Sequence, residues 1–390
     1  MDAPTPDLSY YVGNAREFPI LERIDFFNHA GVCPLPRCAA DALRDFARQY
    51  EERAYLDSGF YKQIEVLRAS AAAMIGARRD EVAFVKNTSE GIATVAAGLD
   101  WQVGDRVVTT AVEYPANMYP WMDLARGRGI ELVTVPEVAR DDGGRAVPLD
   151  ALLAAADHPR TRLLTLSHVE YASGQRHDLA AIGRFCRDRG ILLCVDAIQS
   201  MGVLPIDVRA MNIDYLSADG HKWLLGPEGA GVFYCRRELL NHTRPLAIGW
   251  LNVINDQDYG NYDLTLKPDA RRFECGTLNV PGLLAFKASL ELLASIGVDA
   301  VAARLKLLTD RVIEGVRSKG YSIVSPREGG EWSGIVSFVS PNHDHAAVYR
   351  ALRTEHRTEI AVREKRLRIS AHFYNTEEQI DRLIAHLPGH

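Results

Sequence analysis

The chain has no apolar run approaching the roughly 20 residues that span a bilayer. It also has no CxxC pair, no basic run longer than a few residues, no internal repeat and no low-complexity tract. Each absence excludes a class. Without a long apolar segment, no membrane partner is expected. Without a basic run, and with a net charge of −6 spread among interspersed acids and bases, no nucleic-acid partner is expected. The densest basic stretch, Arg363-Glu364-Lys365-Arg366-Leu367-Arg368, reads as a solvated loop. The six cysteines (Cys33, Cys38, Cys186, Cys194, Cys235, Cys275) are scattered, so a disulfide framework is not expected. The N-terminus Met1-Asp2-Ala3-Pro4-Thr5-Pro6-Asp7 is acidic and proline-rich, unlike a signal peptide. Together these features place the protein in the cytoplasm. His343-Asp344-His345 is an isolated triplet just after a proline and reads as an exposed loop. No metal is expected.

What is present is an ordinary globular composition, 47% hydrophobic and 25% charged over 390 residues, enough for two domains. Strands are expected at Glu81–Val85, Arg106–Thr110, Glu131–Val135, Arg162–Leu166, Ile191–Val195 and Ile213–Leu216. Between them lie helical patterns such as Ser89–Gly98, Met122–Arg128 and Leu179–Arg189. Strands rich in Val, Leu and Ile that alternate with helices predict an α/β fold with a mainly parallel sheet covered on both faces. Gly231–Cys235 follows so soon after its predecessor that it is expected to run antiparallel. From about Leu283 the pattern changes to two long helices, then short strands and another helix. The expected division is a large domain over 23–283 and a smaller α+β C-terminal domain over 284–390. An N-terminal segment, 1–22, is expected to pack with the small domain.

The chemistry gathers around Lys222, in Asp219-Gly220-His221-Lys222-Trp223 ahead of a glycine-rich turn. One strand earlier, Asp196 closes an apolar strand, with Gln199 three residues on. A lysine and an acid at neighbouring strand ends suit a pyridoxal 5'-phosphate (PLP) site. The lysine forms a Schiff base and the acid keeps the ring nitrogen protonated. Gln199 is placed to bond the ring oxygen. Asn87-Thr88-Ser89-Glu90-Gly91 follows a strand and opens a helix, so Thr88 and Ser89 are candidate phosphate donors, with His221 adding a third. Thr88-x-x-Gly91 lacks the acid of a capping box. Tyr114, in Glu113-Tyr114-Pro115-Ala116-Asn117, is a candidate to stack on the ring. Arg368, on a late strand, is a candidate for a substrate carboxylate, which arginine binds bidentately. Each residue alone has a plainer reading as a cap, turn or surface charge.

These motifs, with Phe26-Phe27-Asn28-His29-Ala30-Gly31, Arg272-Phe273-Glu274-Cys275-Gly276-Thr277 and Phe373-Tyr374-Asn375-Thr376, give the chain a resemblance to the class V aminotransferases. These fold-type I PLP enzymes include cysteine desulfurases, selenocysteine lyase, kynureninase and isopenicillin N epimerase. The resemblance implies a seven-stranded, mainly parallel sheet and PLP carried on Lys222, with Asp196 on the ring nitrogen and Gln199 on the ring oxygen. It implies phosphate contacts from Thr88, Ser89 and His221, and a homodimer in which Thr277 reaches the partner's site. Arg368 matches the family's carboxylate arginine, with Asn28 and His29 counted beside it in substrate binding. Tyr114 stands where desulfurases carry histidine, and Tyr171 where they carry an asparagine near the ring oxygen. Asp219 stands where they usually have a serine near the phosphate. It is expected to turn away or cap the next turn, with Ser217 as the compensating donor. The stretch Ile360–Leu367 has no cysteine where desulfurases place their nucleophile, which argues against persulfide transfer.

The expected activity is therefore a PLP enzyme acting at Cα or Cβ of a small amino-acid substrate, as an aminotransferase or β-eliminating lyase. Epimerisation or decarboxylation is the alternative on the same fold. A non-catalytic PLP-binding regulator is disfavoured by the intact Lys222, Asp196 and Arg368 set. A nicotinamide dehydrogenase would need a GxGxxG after the first strand, which is missing.

Overall fold

The computed structural model describes residues 7–389; the proline-rich residues 1–6 lie outside them. A seven-stranded sheet is formed by β1 (Val82–Val85), β2 (Arg106–Thr110), β3 (Glu131–Val135), β4 (Thr161–Ser167), β5 (Leu192–Asp196), β6 (Tyr215–Asp219) and β7 (Gly231–Cys235), in the order β1-β7-β6-β5-β4-β2-β3. Only β7 runs against its neighbours. The register sets Ser167, Asp196 and Ser217 side by side across three adjacent strands. The carboxyl ends of the parallel strands therefore form one edge, where open α/β sheets bind ligands.

β6 lies further along the chain than the apolar pattern Ile213–Leu216 suggested. Its last three residues, Ser217-Ala218-Asp219, are small or polar, yet all pair with β7. Helix Thr88–Gly98 sits directly on them. A Cβ on Gly91 would fall 2.2 Å from the Ser217 hydroxyl, so only glycine permits the approach.

A second sheet, β8 (Ser322–Ile323), β9 (Ile335–Val339), β10 (Ala361–Arg363) and β11 (Arg366–Ser370), has the order β8-β9-β11-β10 and a core of its own. Residue 283 falls inside helix Val280–Ile296, whose apolar side chains join the large-sheet core. The following helix, Val298–Ser318, is shared. Val301 and Leu305 face the first core, and Leu308, Val312 and Val316 the second. The 3.6-residue period that makes a helix amphipathic also lets one long helix serve two cores along its length. In the N-terminal segment, Phe18 stacks on Tyr374 with centroids 3.8 Å apart, and Gly13 N–H donates to the Tyr374 carbonyl.

The loop carrying Thr277 is anchored by a buried ion pair. Arg68, on helix Phe60–Met74, donates to Glu274 at 2.5 and 3.2 Å, and Phe84 N–H donates to the same carboxylate. Both side chains are 2% exposed. Glu274→Gln would leave Arg68 buried with only part of its charge compensated. The expected loss is about 3 kcal/mol of stability, read as a lower urea midpoint. An unchanged midpoint would show that the pair contributes nothing net.

Candidate active site

A cleft of about 870 Å³ opens at the carboxyl edge of the large sheet, against β11 of the small one. Lys222, Asp196, Gln199, Thr88, Ser89, His221, Tyr114, Tyr171 and Arg368 all line it. They come from separated parts of the chain, and the strand order brings them together.

Lys222 is 7% exposed. Its ammonium makes no hydrogen bond or ion pair among the described residues, and lies 5.3 Å from the centre of the Tyr114 ring. Burial lowers its pKa to about 8; Asp196 opposes the shift and Arg368 adds to it. The turn beyond it is strained, since Leu225, a bulky buried residue, has φ +56. Asp196 is 1% exposed. One oxygen accepts from Ile198 N–H at 2.9 Å. Burial raises its pKa to about 6.

The helix Thr88–Gly98 is capped one residue earlier than the sequence suggested. Asn87 is the cap and accepts from Glu90 N–H, while Glu90 reaches back to Lys86 N–H. The N–H groups of Thr88 and Ser89 find no acceptor among the described residues, as expected at a helix start. Beside them Asp219 accepts from Gly220 N–H at 2.7 Å and lies 2.8 Å from His221 Nδ1. The carboxylate is thus turned into its own loop and onto the histidine. That leaves Nε2 as the His221 nitrogen open to a ligand.

Three residues do not stand as the sequence suggested. Ser217 is buried beneath the helix, with its hydroxyl directed at the Thr88 and Val232 carbonyls. The helix closes over it at Gly91, where only glycine permits the approach, and seals it from the cleft. His29 is fully buried, bonded through Nδ1 to the Ser370 carbonyl and through Nε2 to the Tyr374 hydroxyl. It sits among Trp223 and His372, out of reach of a substrate. Asn28 does not line the cleft either; its Oδ1 accepts from Arg368 Nη2 at 3.2 Å and orients that guanidinium. Thr277 is exposed and lines a separate depression with Cys275 and Lys86. Gln199 lines the cleft, but its oxygen already accepts from the Trp223 indole at 2.7 Å and its amide donates to Ala30 O. The Tyr171 hydroxyl donates to Glu364 at 2.9 Å.

Arg368 is 1% exposed. Nη1 donates to Tyr171 O at 2.7 Å, and Nε has no partner among the described residues. It pairs with no carboxylate among the described residues, and burial lowers its pKa. A buried cation lacking a counter-ion strongly favours an arriving anion.

Two further features escaped the sequence. Arg363 lines the cleft. Beneath Asp196 lies a buried carboxyl layer. Glu113 accepts from Ser167 N–H and Oγ–H, both at 2.7 Å, and Glu170 accepts from Thr110 Oγ at 2.9 Å and lies 3.1 Å from His177. Burial lifts the Glu170 pKa to about 8 and lowers that of His177 to about 4. Both shifts favour the neutral forms of the two groups. The only signal in the sequence was an acid three residues past each of two strands.

The donor set fits PLP. The cleft holds a lysine with a depressed pKa, a buried acid, an aromatic ring beside the lysine and free N–H groups at a helix start. The sequence matches the aminotransferase class-V family over residues 26–383. The chain belongs to that family. It is a PLP-dependent enzyme, and PLP supplies an electron sink for bonds at an amino acid's Cα. Over 94% of its length it is 31% identical to a probable cysteine desulfurase of Pyrococcus abyssi, covering 94% of that protein. An isopenicillin N epimerase of Streptomyces clavuligerus is also 31% identical, over 90% of each chain. Among solved structures, a cystine C–S lyase, C-DES, in complex with cysteine persulfide superposes with a TM-score of 0.86 at 26% identity, over 94% of this chain and 98% of the other. Among the described residues no helix is long and apolar enough to cross a membrane.

Proposed function

We propose that this class-V enzyme acts on a small amino acid as a β-eliminating lyase of the C–S type. Lys222 would hold the cofactor, and its amine would take the Cα proton of the substrate. Asp196 holds the charge of the ring nitrogen. Thr88, Ser89 and His221 hold the phosphate, Tyr114 covers the ring, and Arg368 takes the substrate carboxylate. Gln199 and Tyr171 border the ring oxygen. The carrying observation is the β10–β11 hairpin. It ends in a two-residue turn, Glu364-Lys365, with no cysteine on it. Nothing there can accept sulfur, so chemistry would end with release of the β-substituent. The likeness to a cystine C–S lyase supports this class. Transamination shares every step up to proton loss from Cα.

The protein is further proposed to be a cytoplasmic homodimer. Its six cysteines are all unpaired, which suits a reducing compartment. Trp250, Ile254, Tyr259 and Leu264 are exposed, and Trp250 and Tyr259 share a groove with Leu278, next to Thr277. A partner covering that face would receive Thr277 at its own site.

The test is to add a panel of amino acids, without any keto acid, to the PLP-loaded protein. Cofactor absorption, ammonia and keto-acid release are followed. Elimination gives continuous release with recovery of the starting band. Permanent conversion to the amine form of the cofactor would mean transamination. Recovery without release would mean epimerisation or decarboxylation.

A further inference from the structure

We propose that Arg363 is a specificity-determining residue that binds a second anionic group, so that the site selects amino acids whose side chain ends in a carboxylate or sulfinate. The inference rests on the amino-acid reading of the cleft. Arg363 and Arg368 lie on the two paired strands of one hairpin and line the same cleft. Neither is ion-paired among the described residues. Among the described residues the Arg363 guanidinium bonds only to its neighbour's carbonyl, Val362 O, at 2.8 Å.

Charge accounting explains why this matters. The acids lining the cleft are Asp196, Asp219 and Glu228. Asp219 is engaged by His221. Asp196 faces Lys222 and serves the cofactor ring. Lys86 is matched by Glu90 at 3.6 Å. Glu228 alone, an exposed residue, is left against two guanidiniums. When Arg368 takes the α-carboxylate, Arg363, exposed at the rim of the cleft, is still a cation without an acid partner among the described residues. A neutral side chain leaves it so; an acidic one pairs with it.

The hairpin is also built to hold Arg363 still. Glu364 and Lys365 form a two-residue turn with φ +48 and +60, a geometry usually given to glycine or asparagine. Strain of that kind persists only where the surroundings fix it. Here they do so from three sides. Tyr171 donates to Glu364 at 2.9 Å, His345 Nδ1 meets Lys365 O at 2.6 Å, and Arg366 pairs with Glu137. The tip is clamped to both sheets, with Arg363 beside it. Its charge also helps depress the pKa values of Arg368 and Lys222.

The test uses substrates that differ only in charge, S-carboxymethylcysteine against S-carbamoylmethylcysteine, with cysteine sulfinate as a further acid that separates sulfinate from carboxylate. The wild type is expected to prefer the acids in kcat/KM. Arg363→Ala should cut that preference ~30-fold, and Arg363→Lys should keep part of it. Tyr171→Phe, which frees Glu364, should cost a smaller share. A readout independent of turnover is calorimetric titration of the PLP-loaded protein with succinate and with butyrate. Arg363→Ala should weaken succinate at least tenfold more than butyrate. Equal losses for acid and amide, or a wild type with no preference, would overturn the proposal. If no amino acid perturbs the cofactor band, the amino-acid reading falls instead, and the succinate titration still decides for or against Arg363.

Discussion

Lys222→Ala is expected to abolish turnover, by more than about 10⁴-fold, and to leave the protein folded. Both halves follow from the same geometry. The ammonium makes no hydrogen bond or ion pair among the described residues, and stands over the Tyr114 ring. Removing a buried, poorly solvated cation costs the fold little. The chemistry, by contrast, has no substitute buried amine: the other lysine lining the cleft, Lys86, is paired with Glu90 at 3.6 Å. Borohydride reduction of the PLP-loaded wild type should fix the cofactor on the Lys222 peptide, and the variant should show no fixed cofactor. Attachment at another lysine would refute the assignment. The pKa gives a further check. The attacking form is the free amine. With a pKa of about 8, roughly one molecule in ten carries it at pH 7, against roughly one in 3,000 for an unperturbed lysine. The rate of PLP capture by the cofactor-free protein should therefore rise ~tenfold per pH unit below 8 and level off above it. A rise continuing to pH 10 would mean that burial does not depress this group.

Arg368→Ala should lower kcat/KM by about 10³-fold, roughly 4 kcal/mol, while the cofactor stays bound. Among the described residues its Nε lacks a partner and no carboxylate answers its charge, so an arriving carboxylate relieves a standing desolvation cost. Arg368→Lys should recover little, because a point charge does not reproduce the guanidinium fork. The loss should fall mainly on KM. The melting temperature of the cofactor-free protein should fall by no more than a few degrees, since the hydrogen bonds to Tyr171 and Asn28 are lost together with an uncompensated buried charge. A normal affinity for amino acids would place the carboxylate elsewhere.

Much of this protein is legible in its sequence. Alternating apolar strands and helices dictate a parallel sheet, because a strand that crosses over to a parallel neighbour needs a helix between. The acid and the lysine at adjacent strand ends then fall on one edge, as Asp196 and Lys222 do. What is illegible there depends on direction and on distant partners. Ser217 and Asp219 are two residues apart on one strand, yet one is sealed under the helix and the other borders the cleft, because Gly91 lets the helix close over Ser217 alone. His29 lies within a recognisable motif, but the fold of the last strand decides that it meets Ser370 and Tyr374. Arg363 reads as part of a solvated basic run. Only the clamp from Tyr171, His345 and Glu137, contributed by distant segments, turns that run into a hairpin facing the site. The sequence by itself determined the fold class and that Lys222 and Asp196 would fall together at one sheet edge, because periodicity and strand ends are local properties. The tertiary structure decided which polar groups remain unpaired in the cleft, because counter-ions are assigned only once the two sheets have packed together.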